Sequence, residues 1–123
     1  MFQLKLADLG SAQFYANQSS GRFDEVVGTK TYMAPEIFRV KEGEVDSYDG
    51  IQADSYSAGV AIFQFFFGRP PFNVAIKEKD PGYFGLAASG KWEVFWQKLF
   101  DPRAANFYQY EALNRREVKA FFE

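Results

Sequence analysis

Three short strings carry the side chains of this chain that could do chemistry: Asp8-Leu9-Gly10, Gly28-Thr29-Lys30-Thr31-Tyr32-Met33-Ala34-Pro35-Glu36, and Asp54-Ser55-Tyr56-Ser57-Ala58-Gly59. What they offer is oxygen: the carboxylates of Asp8, Glu36 and Asp54, and the hydroxyls of Thr29, Thr31 and Tyr32. Carboxylates suit hard divalent cations and can orient neighbours through charge-assisted hydrogen bonds. There is no histidine and no cysteine. That removes the usual general base, the commonest zinc ligand, thiol nucleophiles and any disulfide framework. Serine–histidine and zinc hydrolysis are therefore not expected. Taken singly, each string also has an ordinary structural reading: a turn after a strand, a helix opened by proline, and a helix N-cap.

The elements that would position these strings can be read from pattern. Phe2 to Leu6 alternates apolar and polar, which predicts a short strand. Ser11 to Val27 is rich in small polar residues and reads as loop, most exposed over Asn17 to Gly21. Pro35 suits the first turn of a short helix, and Lys41 to Gly50 reads as an acidic loop closed by an Asp49-Gly50 turn. A strong helix is predicted from Asp54, its N-cap or first-turn residue, to Phe67, with Gly68 and Pro70-Pro71 as its stop. From Tyr56 on it is apolar on nearly every face, broken only by Ser57 and Gln64, so it is expected in the middle of a core. Asp80-Pro81 opens a further helix through Ala88, closed by Gly90. Trp92, Phe95 and Trp96 read as core rather than as a partner groove. Phe107 to Phe122 is a last helix supported by Glu111 and Arg115 four residues apart.

The expected fold is mainly α, with one short leading strand and about five helices. A chain of 123 residues is one domain or part of one, long enough for a real core. A lone strand cannot pair its backbone, which points to a partner upstream. With a net charge of −2 no basic field suggests nucleic acid. The most apolar run, Ala58 to Phe67, is too short to span a membrane, and no signal peptide is read at the start. An intracellular, cytoplasmic chain is expected.

Together and in this order, the strings resemble the large lobe of a eukaryotic protein kinase. Asp8-Leu9-Gly10 is similar to that family's Asp-Phe-Gly, with Leu9 in the Phe place; Gly28 to Glu36 resembles the serine/threonine form Gly-Thr-x-x-Tyr-x-Ala-Pro-Glu. Asp54 to Gly59 matches Asp-x-Trp-Ser-x-Gly with Tyr56 for Trp, and Gly68-Arg69-Pro70-Pro71-Phe72 matches Gly-x-x-Pro-Phe. The resemblance implies ATP and Mg2+ as cofactors, with Asp8 as the metal ligand and Gly10 marking the turn beside the nucleotide. It implies that Thr29 and Asp54 support a catalytic loop, that Gly28, Thr31 and Tyr32 dock the protein substrate, and that Glu36 forms a buried ion pair. Arg103 is a candidate partner for Glu36. Glu25 stands where many kinases carry a phosphorylated threonine, so its charge could replace part of a phosphate's ordering role. Residues 73–96 further resemble calcium/calmodulin-dependent and calcium-dependent kinases, which implies calmodulin or calcium-linked regulation.

The resemblance covers residues 1–100 as a partial kinase domain; residues 101–123 are a divergent helical tail. The family's Gly-rich phosphate loop, strand lysine and His-Arg-Asp loop are not in the chain. The fragment is therefore expected to be inactive alone, since kinase catalysis is positioning and charge stabilisation by all these parts together. The alternative is a non-catalytic binding module derived from a kinase lobe.

Overall fold

A computed structural model of the chain describes residues 3, 5–15, 21–101 and 119–120. Among these residues the order is a 3-10 turn at Leu9–Ser11, β1 (Arg22–Phe23), α1 (Pro35–Lys41), β2 (Tyr48–Asp49), α2 (Gly50–Phe67), α3 (Phe84–Ala88) and α4 (Trp92–Leu99). The mainly helical class is as expected. The strands are not. Gln3, Lys5 and Leu6 lie in no strand, Phe2 and Leu4 fall outside the described residues, and the sheet is the antiparallel pair β1–β2.

That pair is too short to stand by itself. It is held from its flanks. Arg22 donates to the Ser47 hydroxyl at 2.7 Å and to the Ser47 carbonyl at 2.6 Å. Phe23, opposite Tyr48 in the register, puts its ring 6.2 Å from the Tyr48 ring.

α1 forms where Pro35 predicts it. Glu36 lies in its first turn, Arg39 and Lys41 in its last, and Ile37 and Phe38 face inward. α2 begins earlier than the sequence suggests. Its N-cap is Asp49, not Asp54: the Asp49 carboxylate accepts from the N–H of Ile51 at 2.9 Å and of Gln52 at 3.1 Å. An aspartate that closes a turn and one that caps a helix use the same side-chain bond to an N–H two or three residues on, so the Asp49-Gly50 signal fits both. At the other end Gly68 takes a left-handed φ of 65° and its N–H bonds the Gln64 carbonyl at 2.8 Å, stopping the helix as expected.

α2 runs past two cores. Ala53 joins Met33, Ala34, Ile37, Phe38, Tyr48 and Ala75 in the first. Phe63 and Phe67 join Phe95, Trp96, Leu99 and Phe100 in the second. There Trp96 stacks between Phe63 (6.2 Å, 22°) and Phe100 (5.9 Å, 18°), while Phe95 meets it edge-on at 5.0 Å. The Trp92–Trp96 cluster is thus core. The expectation that α2 is enclosed on every side is corrected: Ile62 is 39%, Phe65 85% and Phe66 44% exposed. The described residues cover one face of the helix.

α3 starts at Phe84, not at Asp80. Asp80 is buried instead, its carboxylate accepting from the N–H of Asn73 at 2.8 Å and of Tyr83 at 3.1 Å. It staples the loop between α2 and α3. The last helix expected over Phe107 to Phe122 lies outside the described residues, apart from helical Lys119 and Ala120. The Lys119 ammonium sits 5.4 Å over the Phe100 ring.

Candidate functional site

A cleft of about 550 Å³ lies where the first two chemical strings meet α2; Asp8, Gly28, Thr29, Tyr32, Asp54 and Ser57 are among its walls. Asp8 enters it with φ 60° and ψ 71°, the left-handed conformation that non-glycine residues avoid. It is the one non-glycine residue with positive φ among those described. Such strain concentrates at functional sites. The 3-10 turn at Leu9–Ser11 follows, carrying Gly10. Leu9, which stands in the Phe place of the family's motif, is exposed.

The bend from Gly28 to Ala34 forms the opposite wall. Gly28 has φ 107°, which a side chain would strain. The N–H groups of Tyr32 and Met33 both bond the Thr29 carbonyl, at 2.9 and 3.2 Å, closing a turn. Met33 and Ala34 are buried and root the bend in the first core. Thr31 points its hydroxyl at the Asn73 carbonyl, 3.4 Å away, outside the cleft.

Tyr32 is fixed at both ends by α2. Its carbonyl accepts from the Ser57 hydroxyl at 2.8 Å. Its own hydroxyl donates to the side-chain oxygen of Gln64. Neither Ser57 nor Gln64 was read as a site residue. The signal was present: they are the polar interruptions of an apolar helix, seven residues and so about two turns apart, on one face.

Asp54 is exposed at the cleft, in α2. Its charge acts on Tyr48, whose hydroxyl pKa is raised first by burial and then by Asp54, Glu25 and Asp24. Glu36 is half-buried, away from the cleft. It forms no ion pair with any described residue; the ion pairs found, Arg39–Glu44 and Lys79–Glu42, are exposed at 3.3 Å each. Arg103 lies outside the described residues. Beside Glu36 the Tyr56 hydroxyl is buried without a hydrogen-bond partner. Burial, and after it the charges of Glu36 and Asp80, push its pKa well above the usual tyrosine value.

The structure therefore brings Asp8, Gly28, Thr29, Tyr32 and Asp54 to one cleft and leaves Thr31 and Glu36 outside it. No group of three acidic or other metal-ligating side chains converges among the described residues. Asp8 offers a single hard carboxylate. That fits Mg2+ held by one or two carboxylates, substrate phosphates and water; it does not fit an all-protein cage.

Comparisons with known proteins show the family of the chain. The protein kinase domain family matches residues 1–95, and the chain belongs to that family. It is 31% identical to the human Nik-related protein kinase over 133 residues, covering 95% of this chain and 8% of that protein. It is 36% identical to calcium-dependent protein kinase SK5 of Glycine max over 102 residues (80% of this chain, 18% of that protein). Human Rho-associated protein kinase 1 is 36% identical over 69 residues, covering 56% of this chain and 5% of that protein. The chain thus spans less than a fifth of the length of these relatives. No solved structure matches it.

Proposed function

We propose that this chain is the metal-binding and substrate-docking part of a serine/threonine protein kinase, which transfers the ATP γ-phosphate to protein hydroxyls. The observation that supports this most directly is Asp8 in left-handed backbone, sharing a cleft with the Tyr32 bend. Asp8 would hold the Mg2+ that neutralises phosphate charge in that family's reaction, with Gly10 in the turn beside it. Tyr32, Gly28 and Thr31 shape the surface that receives the protein substrate. Thr29 and Asp54 each reach the cleft with a polar side chain and would orient a catalytic loop. Glu36 would pair with an arginine supplied from beyond the described residues. The chain carries neither phosphate loop nor catalytic aspartate of the family pattern, so it transfers no phosphate alone. A calcium-linked regulator enters this reading through residues 73–96 and through the name of the Glycine max relative. The kinase resemblance carries the cell interior as the setting in this reading. No helix among the described residues is long and apolar enough to cross a membrane.

The test is a chimera in which this chain replaces the matching stretch of the Glycine max relative. A folded chimera phosphorylates a serine/threonine peptide, and Asp8→Asn lowers kcat by roughly 10²–10³-fold. A folded chimera indifferent to Asp8→Asn refutes the reading. The purified chain alone binds Mg-ATP more weakly than about 1 mM by calorimetry. The exposed Ile62, Phe65 and Phe66 favour a second reading, a binding module that docks a partner on this face. Stable expression of the isolated chain with no active chimera supports that reading.

A further inference from the structure

Tyr83 carries two cations on one ring. The Arg69 guanidinium lies 4.8 Å from the ring centroid and the Lys98 ammonium 4.6 Å. One cation over a tyrosine face is an ordinary contact; a second brings a like charge close to the first. Neither cation forms an ion pair with a described residue. Asp80, the buried carboxylate of the adjoining loop, is committed to the N–H groups of Asn73 and Tyr83, and exposed Glu78 pairs with neither cation. The grouping therefore keeps two positive charges in a chain whose net charge is −2. Lys98 is exposed and Arg69 half-buried, so both can be reached from solvent.

The surrounding elements fix this grouping. Tyr83 packs against the second core, edge-on to Phe95 with 5.8 Å between ring centroids. Lys98 stands three residues after Phe95 on α4, hence on the same face, and its ammonium donates to the Gly82 carbonyl at 3.2 Å. A side chain at Gly82 would meet that ammonium at 2.6 Å, so glycine leaves the ammonium its place. Arg69 is set between the C-cap Gly68 and Pro70, which together restrict its backbone. The Tyr83 hydroxyl makes no hydrogen bond to a described residue, and it is not buried as the unpartnered Tyr56 hydroxyl is, so it meets solvent. Three donors thus gather with no carboxylate of a described residue paired to them. We propose that Arg69, Tyr83 and Lys98 bind the phosphate of a phosphorylated segment of a partner protein. Two cations match a phosphate monoester, which carries about two negative charges, better than a carboxylate, which carries one. None of the three residues lines the Asp8 cleft, so the inference does not rest on the proposed function.

Titration of the purified chain with the peptide Gly-Ala-pSer-Ala-Gly, followed by the amide NMR signals of Gly82 and Tyr83, tests this. The phosphopeptide binds more tightly than about 1 mM, and at least about tenfold more tightly than the same peptide with serine. It also binds about threefold more tightly than inorganic phosphate, since its flanking residues add contacts that a free ion lacks. Arg69→Gln and Lys98→Gln keep most of each stem and remove one charge; each weakens binding about fivefold. Tyr83→Phe keeps the ring and weakens binding about threefold. Lys5→Gln, the same charge lost at an exposed place elsewhere, leaves binding unchanged. The amide spectrum of each variant shows whether its fold is kept; should one variant unfold, the other two decide. The proposal is overturned if the serine and phosphoserine peptides bind alike, or if inorganic phosphate binds as tightly as the phosphopeptide (an adventitious ion only). It is equally overturned if none of the three site variants weakens binding more than Lys5→Gln does.

Discussion

Removing the Ser57 hydroxyl should loosen the docking bend without unfolding the chain. That hydroxyl lies 2.8 Å from the Tyr32 carbonyl and 3.0 Å from the Ala53 carbonyl. The Ala53 carbonyl already serves the helix ladder, so its loss matters little. The Tyr32 carbonyl has no other hydrogen bond from the described residues. In Ser57→Ala it becomes an orphaned acceptor in a half-buried place. A fully buried orphan costs about 1–3 kcal/mol; water recovers part of this at half burial, leaving roughly 1–1.5 kcal/mol. About 1.4 kcal/mol is tenfold in an equilibrium constant.

Lys30 supplies the assay. It is exposed on the bend, and trypsin cutting after it needs the bend to open. When opening is fast, cleavage follows the open population. Ser57→Ala should therefore raise the cleavage rate at Lys30 about tenfold. Cleavage at exposed Lys91, before α4, should stay as it was. Gln64→Leu, which strands the Tyr32 hydroxyl, should act in the same direction. An unchanged rate at Lys30 in Ser57→Ala would refute the idea that α2 holds the bend.

Tyr56→Phe should raise stability by about 1 kcal/mol in urea unfolding, because it deletes a buried hydroxyl that has no partner; a loss of stability would mean the hydroxyl is bonded. The raised pKa of Tyr56 sets a pH dependence. The folded chain keeps that proton above pH 10 while the unfolded chain releases it, so stability falls as pH rises past about 10. Tyr56→Phe should flatten that fall, and alkaline unfolding curves of both chains check it. Gly28→Ala puts a side chain at φ 107° and should cost roughly 1–3 kcal/mol by thermal melting. Trp96→Ala removes the centre of the second core and should cost about 3–5 kcal/mol, enough to abolish cooperative melting in a marginal chain.

The sequence made the site's parts legible where one residue type answers one local need. Pro35 begins α1, Gly68 ends α2 and Gly28 takes the φ that glycine allows, each decided by its own backbone. It was less informative where a residue has two uses. Asp49 served equally as turn or cap, and only the packing of Ala53 into the first core settles that the helix begins there. Asp80 reads locally as a helix opener, yet it faces inward because Asn73, seven residues back, needs an acceptor for its N–H. Ser57 and Gln64 looked like blemishes in an apolar run. Their purpose depends on Tyr32, 25 and 32 residues away, which no local pattern encodes.

The same long-range logic explains the other misplaced expectation about α2, that it lies in the middle of a core. Its sequence is apolar nearly all round, the pattern of a helix covered on two sides. The described residues cover the side bearing Val60, Phe63 and Phe67; on another side Phe65 is 85% exposed and Ile62 and Phe66 are partly so. Burying a large apolar side chain stabilises by about 1.5–3 kcal/mol, so Phe65, 85% exposed, forgoes most of that gain. Serine or lysine at those places would serve an isolated domain better. That face is where the second reading docks a partner, whereas α2 holds Tyr32 from another side through Ser57 and Gln64.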